Sequence, residues 1–349
     1  MTVTGTAITI FLFIVGIILI VKGGDWFVDG AVWVAEVTRI PKFIIGATVI
    51  SLATTLPEIF VSTLAAVEGH KILYSGAANA FAASQEKIGM AIGNGIGSVV
   101  CNTAMILAIS MIFLPIAVRR KDFIPKAALL LAAVCTLFIF SLGGYLTFIG
   151  GSILLVVFGL YIAENIRSAK GNLAENSEEK PAIDRKSVAL NLLKVAAGAA
   201  GIVIGSQLLV NSGSDIAAAL GVSEAIIGVT IVAVGTSLPE LVTAISAIVK
   251  KQASMSVGNV IGANVIDTTL ILSICSFVYG GKLPVSAQNI CLDFPVAILV
   301  SALAIIPAAI SGKFRRWQGV VMLLIYIGYL LTVTLWLPQY LSMFGAVVG

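Results

Sequence analysis

The chain has 349 residues, 59% hydrophobic and only 11% charged, with a formal net charge of +4. A mean hydropathy of +1.08 is more apolar surface than a soluble domain can hide, so the bilayer must be the solvent for most of the chain. The basic residues lie in short loops between apolar runs, which excludes a nucleic-acid interface.

Apolar stretches of roughly 20 residues, the length that crosses a bilayer, occur ten times. They cover 6–35, 42–67, 86–114, 123–142, 145–165, 188–218, 222–249, 253–279, 290–310 and 316–340. The first exceeds one crossing and is expected to tilt or to extend beyond the bilayer. It has no basic leader and no small-residue cleavage site, so it reads as a span and not as a signal peptide. Lys22, Asp25 and Asp29 near its end are expected to pair locally. Residues 166–187 are the one long polar stretch and read as a cytoplasmic linker between two halves, 1–165 and 188–349. Cys101, Cys135, Cys275 and Cys291 form no CxxC pair and read as small buried hydrophobes.

With the N-terminus outside, seventeen basic residues fall in cytoplasmic loops and three on the opposite side. This asymmetry predicts N-out, C-out.

Two segments repeat. Ile44–Ala66 (IIGATVISLATTLPEIFVSTLAA) matches Ile226–Ile248 (IIGVTIVAVGTSLPELVTAISAI) at an offset of 182. Ile92–Leu107 (IGNGIGSVVCNTAMIL) matches Val257–Leu272 (VGNVIGANVIDTTLIL) at an offset of 165. The change of offset places extra residues in the first half, around Gly69–Gln85, read as an extracellular or interfacial excursion with His70 as a surface residue. Asp122-Phe123 and Asp293-Phe294 extend the correspondence. Each half has five spans, an odd number, so the second half enters the membrane upside down. The fold class is therefore an all-α polytopic membrane protein of ten transmembrane helices in two inverted five-helix repeats.

The first matching pair carries a proline and a carboxylate in mid-run, Pro57-Glu58 and Pro239-Glu240. Proline has no N–H, so Pro57 cannot bond the carbonyl of Ala53, nor Pro239 that of Gly235. Freed carbonyls beside two glutamates offer hard oxygen donors, the set that Ca²⁺ takes in numbers of about six to eight. No thiolate or imidazole cluster accompanies them, which disfavours zinc and copper. Ser98 and Asn102 share one face of the third span, and Ala263 and Asp267 hold the matched positions on the eighth. Gly93, Gly97, Gly258 and Gly262 form two GxxxG steps that allow close helix approach. Three acids in one membrane core with Lys22 as the basic residue well inside a span cannot all be ion-paired.

These segments resemble the two α-repeats of the sodium/calcium exchanger family of prokaryotic type, within the calcium/cation antiporter superfamily. The resemblance implies antiport of Ca²⁺ against Na⁺, with Glu58 and Glu240 and the carbonyls of Thr54 and Thr236 holding calcium. It implies flanking sodium sites from Thr55, Ser98 and the carbonyl of Ser51, and from Ser237 and the carbonyl of Ala233. Asn102 and Asp267 become the central polar partners. Ala263 departs from the family, where a sodium-coordinating serine is expected, and leaves one flank short of a ligand. The aspartate at 267 is shared with the potassium-dependent branch, so K⁺ cotransport stays open, with H⁺/Ca²⁺ exchange ranked after it. A cation channel is a second class of reading. Nothing points to an enzyme: there is no HExxH motif and no cofactor signature. The expected partners are the two ions and the lipid bilayer, for a monomeric transport unit in a prokaryotic plasma membrane.

Overall fold

The computed structural model describes residues 3–76, 78–114, 116–175, 184–219, 235 and 237–336. Helices dominate because a bilayer offers no partner to an open backbone N–H or C=O. In chain order they are α1 (Val3–Thr38), α2 (Lys42–Thr54), α3 (Leu56–Leu73), α4 (Ala80–Phe113), α5 (Arg120–Ser141) and α6 (Phe148–Glu175). There follow α7 (Arg185–Ala219), α8 (Leu238–Val249), α9 (Ala253–Val278), α10 (Asn289–Ser311) and α11 (Arg316–Leu331). Among the described residues eight helices are long and apolar enough to cross a bilayer, nine if α2 and α3 form one bent span. Of the expected span 222–249, residues 222–234 and 236 lie outside the described residues; α8 is its C-terminal part.

The layering follows composition. α4 and α9 form the centre, with 72% and 83% of their most apolar windows buried, against 28% and 22% for α1 and α7. Their small residues permit this. A Cβ at Gly258 would strike the Phe43 carbonyl, and one at Gly262 the Ser51 hydroxyl, so α9 lies directly on α2. The Tyr161 hydroxyl of α6 donates to the Ala47 carbonyl across 2.8 Å from behind α2. Phe11, Ile18, Leu193, Ile310 and Leu324 stay exposed on the outer helices, where lipid covers them.

Four short strands depart from the expected all-helical chain. Ile116–Ala117 pairs antiparallel with Lys313–Phe314, and Tyr145–Thr147 with Lys282–Pro284. Each ladder joins one half to the other at helix ends. The turns there need left-handed backbone, supplied by Gly144, Gly281 and Gly312 at φ of 79°, 85° and 72°.

Three local expectations change. The extra segment of the first half is mostly helix, since α3 runs to Leu73 and α4 begins at Ala80. His70 is not a free surface residue: its Nδ1 lies 3.0 Å from the Tyr279 carbonyl, with the Tyr74 ring 5.0 Å away. Asp25 and Asp29 pair with Lys250, from the other half of the chain, with Nζ 2.6 Å from Asp29 Oδ1 and 3.7 Å from Asp25 Oδ1. Lys126, absent from the sequence reading of basic residues inside spans, is fully buried and donates to Ser168 Oγ at 2.8 Å. Asn172 donates to Asp122 at 3.1 Å beside it, so α6 remains docked well beyond residue 166. All four cysteines are free; Cys101 and Cys275 are buried, but Cys291 is exposed.

Candidate cation site

The two Pro-Glu segments meet at the centre of the molecule. Pro57 interrupts the helix so that α2 and α3 bend by 45° around Thr55, whose φ and ψ are −83° and −2°. Ser237, at the matched position before Pro239, has nearly the same conformation, −91° and 7°. The helical ladder resumes with Ile59 N–H donating to Thr55 O and Leu241 N–H to Ser237 O, each across 3.0 Å. The helix that carries each glutamate therefore starts anew after Thr55 and after Ser237, three residues before Glu58 and Glu240.

Glu58 and Glu240 are each 1% exposed and Asp267 is fully buried. Both carboxylate oxygens of Glu58, both of Asp267 and Oε2 of Glu240 have no hydrogen-bond partner among the described residues, and neither has the side-chain amide of Asn102. Buried acceptors are normally satisfied, so a group of orphans in one core calls for a ligand. Glu58 feels the charge of both Glu240 and Asp267, and Asp267 that of Glu240. Among the described residues no three His, Cys, Asp or Glu side chains converge on one metal position. The oxygen donors beside the carboxylates are hydroxyls, carbonyls and amides.

Those oxygens are present on both sides. Thr55 Oγ1 donates to Ser51 O at 2.6 Å and lies 3.4 Å from Glu240 Oε1, which ties the first segment to the second glutamate. Ser237 Oγ stands 3.5 Å from Ser98 Oγ, the reciprocal link from the second segment to α4. Ser51, Thr54, Thr55, Ser98, Asn102 and Ser237 are all buried. Thr236 and Ala233 lie outside the described residues. Ala263 is buried and adds no donor.

Two features escaped the sequence reading. Asn94 and Asn259, matched in the two GN steps, position the glutamate helices. Asn94 Nδ2 donates to Ser62 Oγ at 2.9 Å and to Glu58 O at 3.4 Å, while Asn259 bonds Thr243 Oγ1 at 3.1 Å and accepts from Thr54 at 3.4 Å. Their recurrence at one offset was the available signal. The second feature is a π-helical turn at Asn102–Leu107 and at Ile266–Ile271, so that Asn102 and Asp267 each sit at a widening of their helix. No residue pattern announces it.

The fold and this polar centre define a multi-pass helical membrane protein whose halves enclose unpaired buried acids. The family model described as "Sodium/calcium exchanger protein" matches residues 8–166 and 190–335. An uncharacterised membrane protein of Methanocaldococcus jannaschii is 33% identical over 90% of this chain and 94% of its own length. The sodium/calcium exchanger MaX1 of Methanosarcina acetivorans is 26% identical over 93% and 97%. A structure of the sodium-calcium exchanger NCX_Mj soaked with Na⁺ and Sr²⁺ superposes with a TM-score of 0.77 at 31% identity, covering 92% of this chain and 97% of that one. The chain belongs to the sodium/calcium exchanger family, a family of membrane transporters with close prokaryotic members.

Proposed function

We propose that the chain exchanges Ca²⁺ for Na⁺ at the crossing of its two Pro-Glu segments. The observation that carries this reading is the meeting of Thr55 with Glu240 beside the unpartnered carboxylate of Glu58. Glu58 and Glu240 supply the charge for calcium, and the carbonyls of Thr54 and Thr236 supply neutral oxygens. Thr55, Ser98 and Ser51 O serve Na⁺ on one side, with Ser237 and Ala233 O on the other; Asn102 and Asp267 line the middle.

Charge explains the coupling. Two ionised glutamates in a low dielectric repel each other, so the site resists closing until a divalent ion or several monovalent ions neutralise it. Only a loaded site is then carried across, and alternating access becomes exchange.

Ten spans, N-out and C-out, arranged as inverted repeats with 166–187 between them, complete the proposal. The strand pairing supports it: the strand after α4 pairs with the one after α10, and the strand after α5 with the one after α9. Exchanging the halves maps each ladder onto the other. α1 and α7, peripheral and without a Pro-Glu motif, form the sliding gate.

The test is calcium flux in proteoliposomes with Na⁺, K⁺ or H⁺ gradients imposed one at a time. Uptake driven by Na⁺ alone is expected. Uptake that needs K⁺ as well, or H⁺ instead, replaces the counter-ion. Flux without any trans counter-ion makes the protein a channel.

A further inference from the structure

α1 and α7 pack along each other through reciprocal glycines. A Cβ at Gly16 would lie 3.0 Å from Gly205 O and one at Gly205 2.8 Å from Gly16 O; Gly23 and Gly198 repeat this at 2.9 and 2.8 Å. The pair is otherwise largely lipid-exposed. Among the described residues charge ties α1 to its neighbours near its C-terminal end, where Glu36 Oε1 lies 3.4 Å from Lys42 Nζ of α2, and again at α8. Lys250, at the C-terminal end of α8, directs Nζ to Asp29 Oδ1 at 2.6 Å and to the Asp25 carbonyl at 2.8 Å, and its Nζ is also 3.7 Å from Asp25 Oδ1. Beside it α1 lies tight on α8, since a Cβ at Gly24 would fall 2.7 Å from Ser246 Oγ and 2.8 Å from Val242 Cγ1. The lysine thus joins α1 to the helix that carries Glu240.

The repeat does not reproduce this contact. At the offset of 182, Asp25 and Asp29 correspond to Gln207 and Asn211, and Lys250 corresponds to Glu68. Glu68 Oε2 is engaged by Lys87 of its own helical hairpin at 2.8 Å. Two acids facing a lysine on one side are matched by two neutral amides and an already paired glutamate on the other.

We propose that Lys250, Asp25 and Asp29 form a one-sided ionic latch that favours the conformation described here over the one in which the halves exchange roles. The inference rests on the reading of α1 and α7 as the moving pair. Two inverted repeats with equal contacts would leave inward and outward states nearly balanced. A latch present on one side alone makes them unequal, and therefore makes apparent calcium affinity differ between the two faces of the membrane. The pair is half-exposed, with side-chain exposures of 22% for Lys250, 44% for Asp25 and 50% for Asp29. Its effect is accordingly a population shift of about fivefold or less, what roughly 1 kcal/mol supports.

The first readout needs no transported ion. Backbone hydrogen exchange in lipid nanodiscs should rise up to about fivefold at residues 22–32 in Lys250→Gln and in Asp29→Asn. The charge-swapped double variant Asp29→Lys, Lys250→Asp should bring exchange back towards wild type. Glu68→Gln, at the matched position, should leave residues 22–32 unchanged. In oriented proteoliposomes Lys250→Gln should also change the ratio of calcium half-saturation between the two faces by the same factor. Unchanged exchange in Lys250→Gln, no rescue by the swap, or an equal response to Glu68→Gln would each overturn the latch. Loss of calcium flux in wild type would overturn the exchange reading, and the hydrogen-exchange result would still decide the latch.

Discussion

Ser98 on α4 and Ala263 on α9 hold matched positions in the two halves, and only the first carries a hydroxyl. Around Ser98 the donors form a chain, with Ser237 Oγ 3.5 Å away. On the opposite flank, where position 263 carries no hydroxyl, Thr55 donates to Ser51 O at 2.6 Å and lies 3.4 Å from Glu240 Oε1. The backbone is repeated far more faithfully than the chemistry hung on it: Thr55 and Ser237 keep one conformation, and Asn102 and Asp267 share one π-turn. The repeated backbone therefore carries unequal side chains on its two flanks.

The comparison breaks most completely at the glutamates, where the halves are expected to be equal. Glu58→Gln and Glu240→Gln preserve volume and remove the charge that a divalent ion needs. Each should abolish sodium-driven calcium uptake, while size-exclusion profiles and helix content by circular dichroism stay those of wild type. Substantial uptake in either variant removes the two-carboxylate site.

Packing is next. Gly258 and Gly262 hold α9 against α2 so closely that a methyl group meets main chain at one and Ser51 at the other. Gly258→Ala should destabilise by about 1–3 kcal/mol through overpacking, read as a lower midpoint of thermal unfolding in detergent. Gly262→Ala pushes directly on Ser51 and should raise the sodium requirement more than it lowers that midpoint. An unchanged midpoint in Gly258→Ala would show that α2 and α9 have slack.

Ala263→Ser sharpens the comparison by restoring the missing hydroxyl. A ligand hydrogen-bonded or coordinated to a charged group is worth about 1.5–3 kcal/mol, or roughly tenfold or more in affinity. The variant should lower the sodium concentration for half-maximal exchange by about that factor and leave calcium affinity nearly unchanged. A wild-type sodium response that is already tight, and indifferent to the added hydroxyl, would mean that another group completes this flank.

Much of this was legible because membrane burial makes polar residues conspicuous. A proline and a glutamate inside an apolar run stand out in one sequence, and a second copy at a fixed offset identifies a repeat without structural knowledge. Of the two GxxxG steps, the one at Gly258 and Gly262 meets a neighbouring helix, α2, whereas at Gly93 and Gly97 no described residue of another helix lies within 4 Å of an added Cβ. What could not be read depends on distant geometry. Asp29 and Lys250 are separated by 221 residues, and nothing local distinguishes that pairing from one with Lys22. Lys126 falls just inside the span 123–142, and the preceding Arg119, Arg120 and Lys121 group it by charge with the loop. It is buried because Ser168 and the Asp122 carbonyl of its own turn satisfy it. The short strands are two or three residues long, too short for periodicity to register.

The smallest effect is expected at Asp267, where the halves differ by a full carboxyl against the Asn102 amide. Three acids share this core, yet no three of them converge on one metal position among the described residues. A calcium ion held by Glu58 and Glu240 is already matched in charge, and a third ionised ligand would leave an excess that nothing buried nearby offsets. On the proposed reading Asp267 is expected to act from outside the calcium shell. Asp267→Asn makes the two π-turns chemically alike, amide facing amide. It should retain sodium-driven calcium exchange within a few-fold of wild type, while any stimulation by K⁺ is lost. The measurement is calcium uptake at fixed sodium gradient with K⁺ present and absent. Complete loss of calcium binding in the variant would make Asp267 a primary ligand, and the asymmetry between the halves would then lie at the centre of the site rather than on its flank.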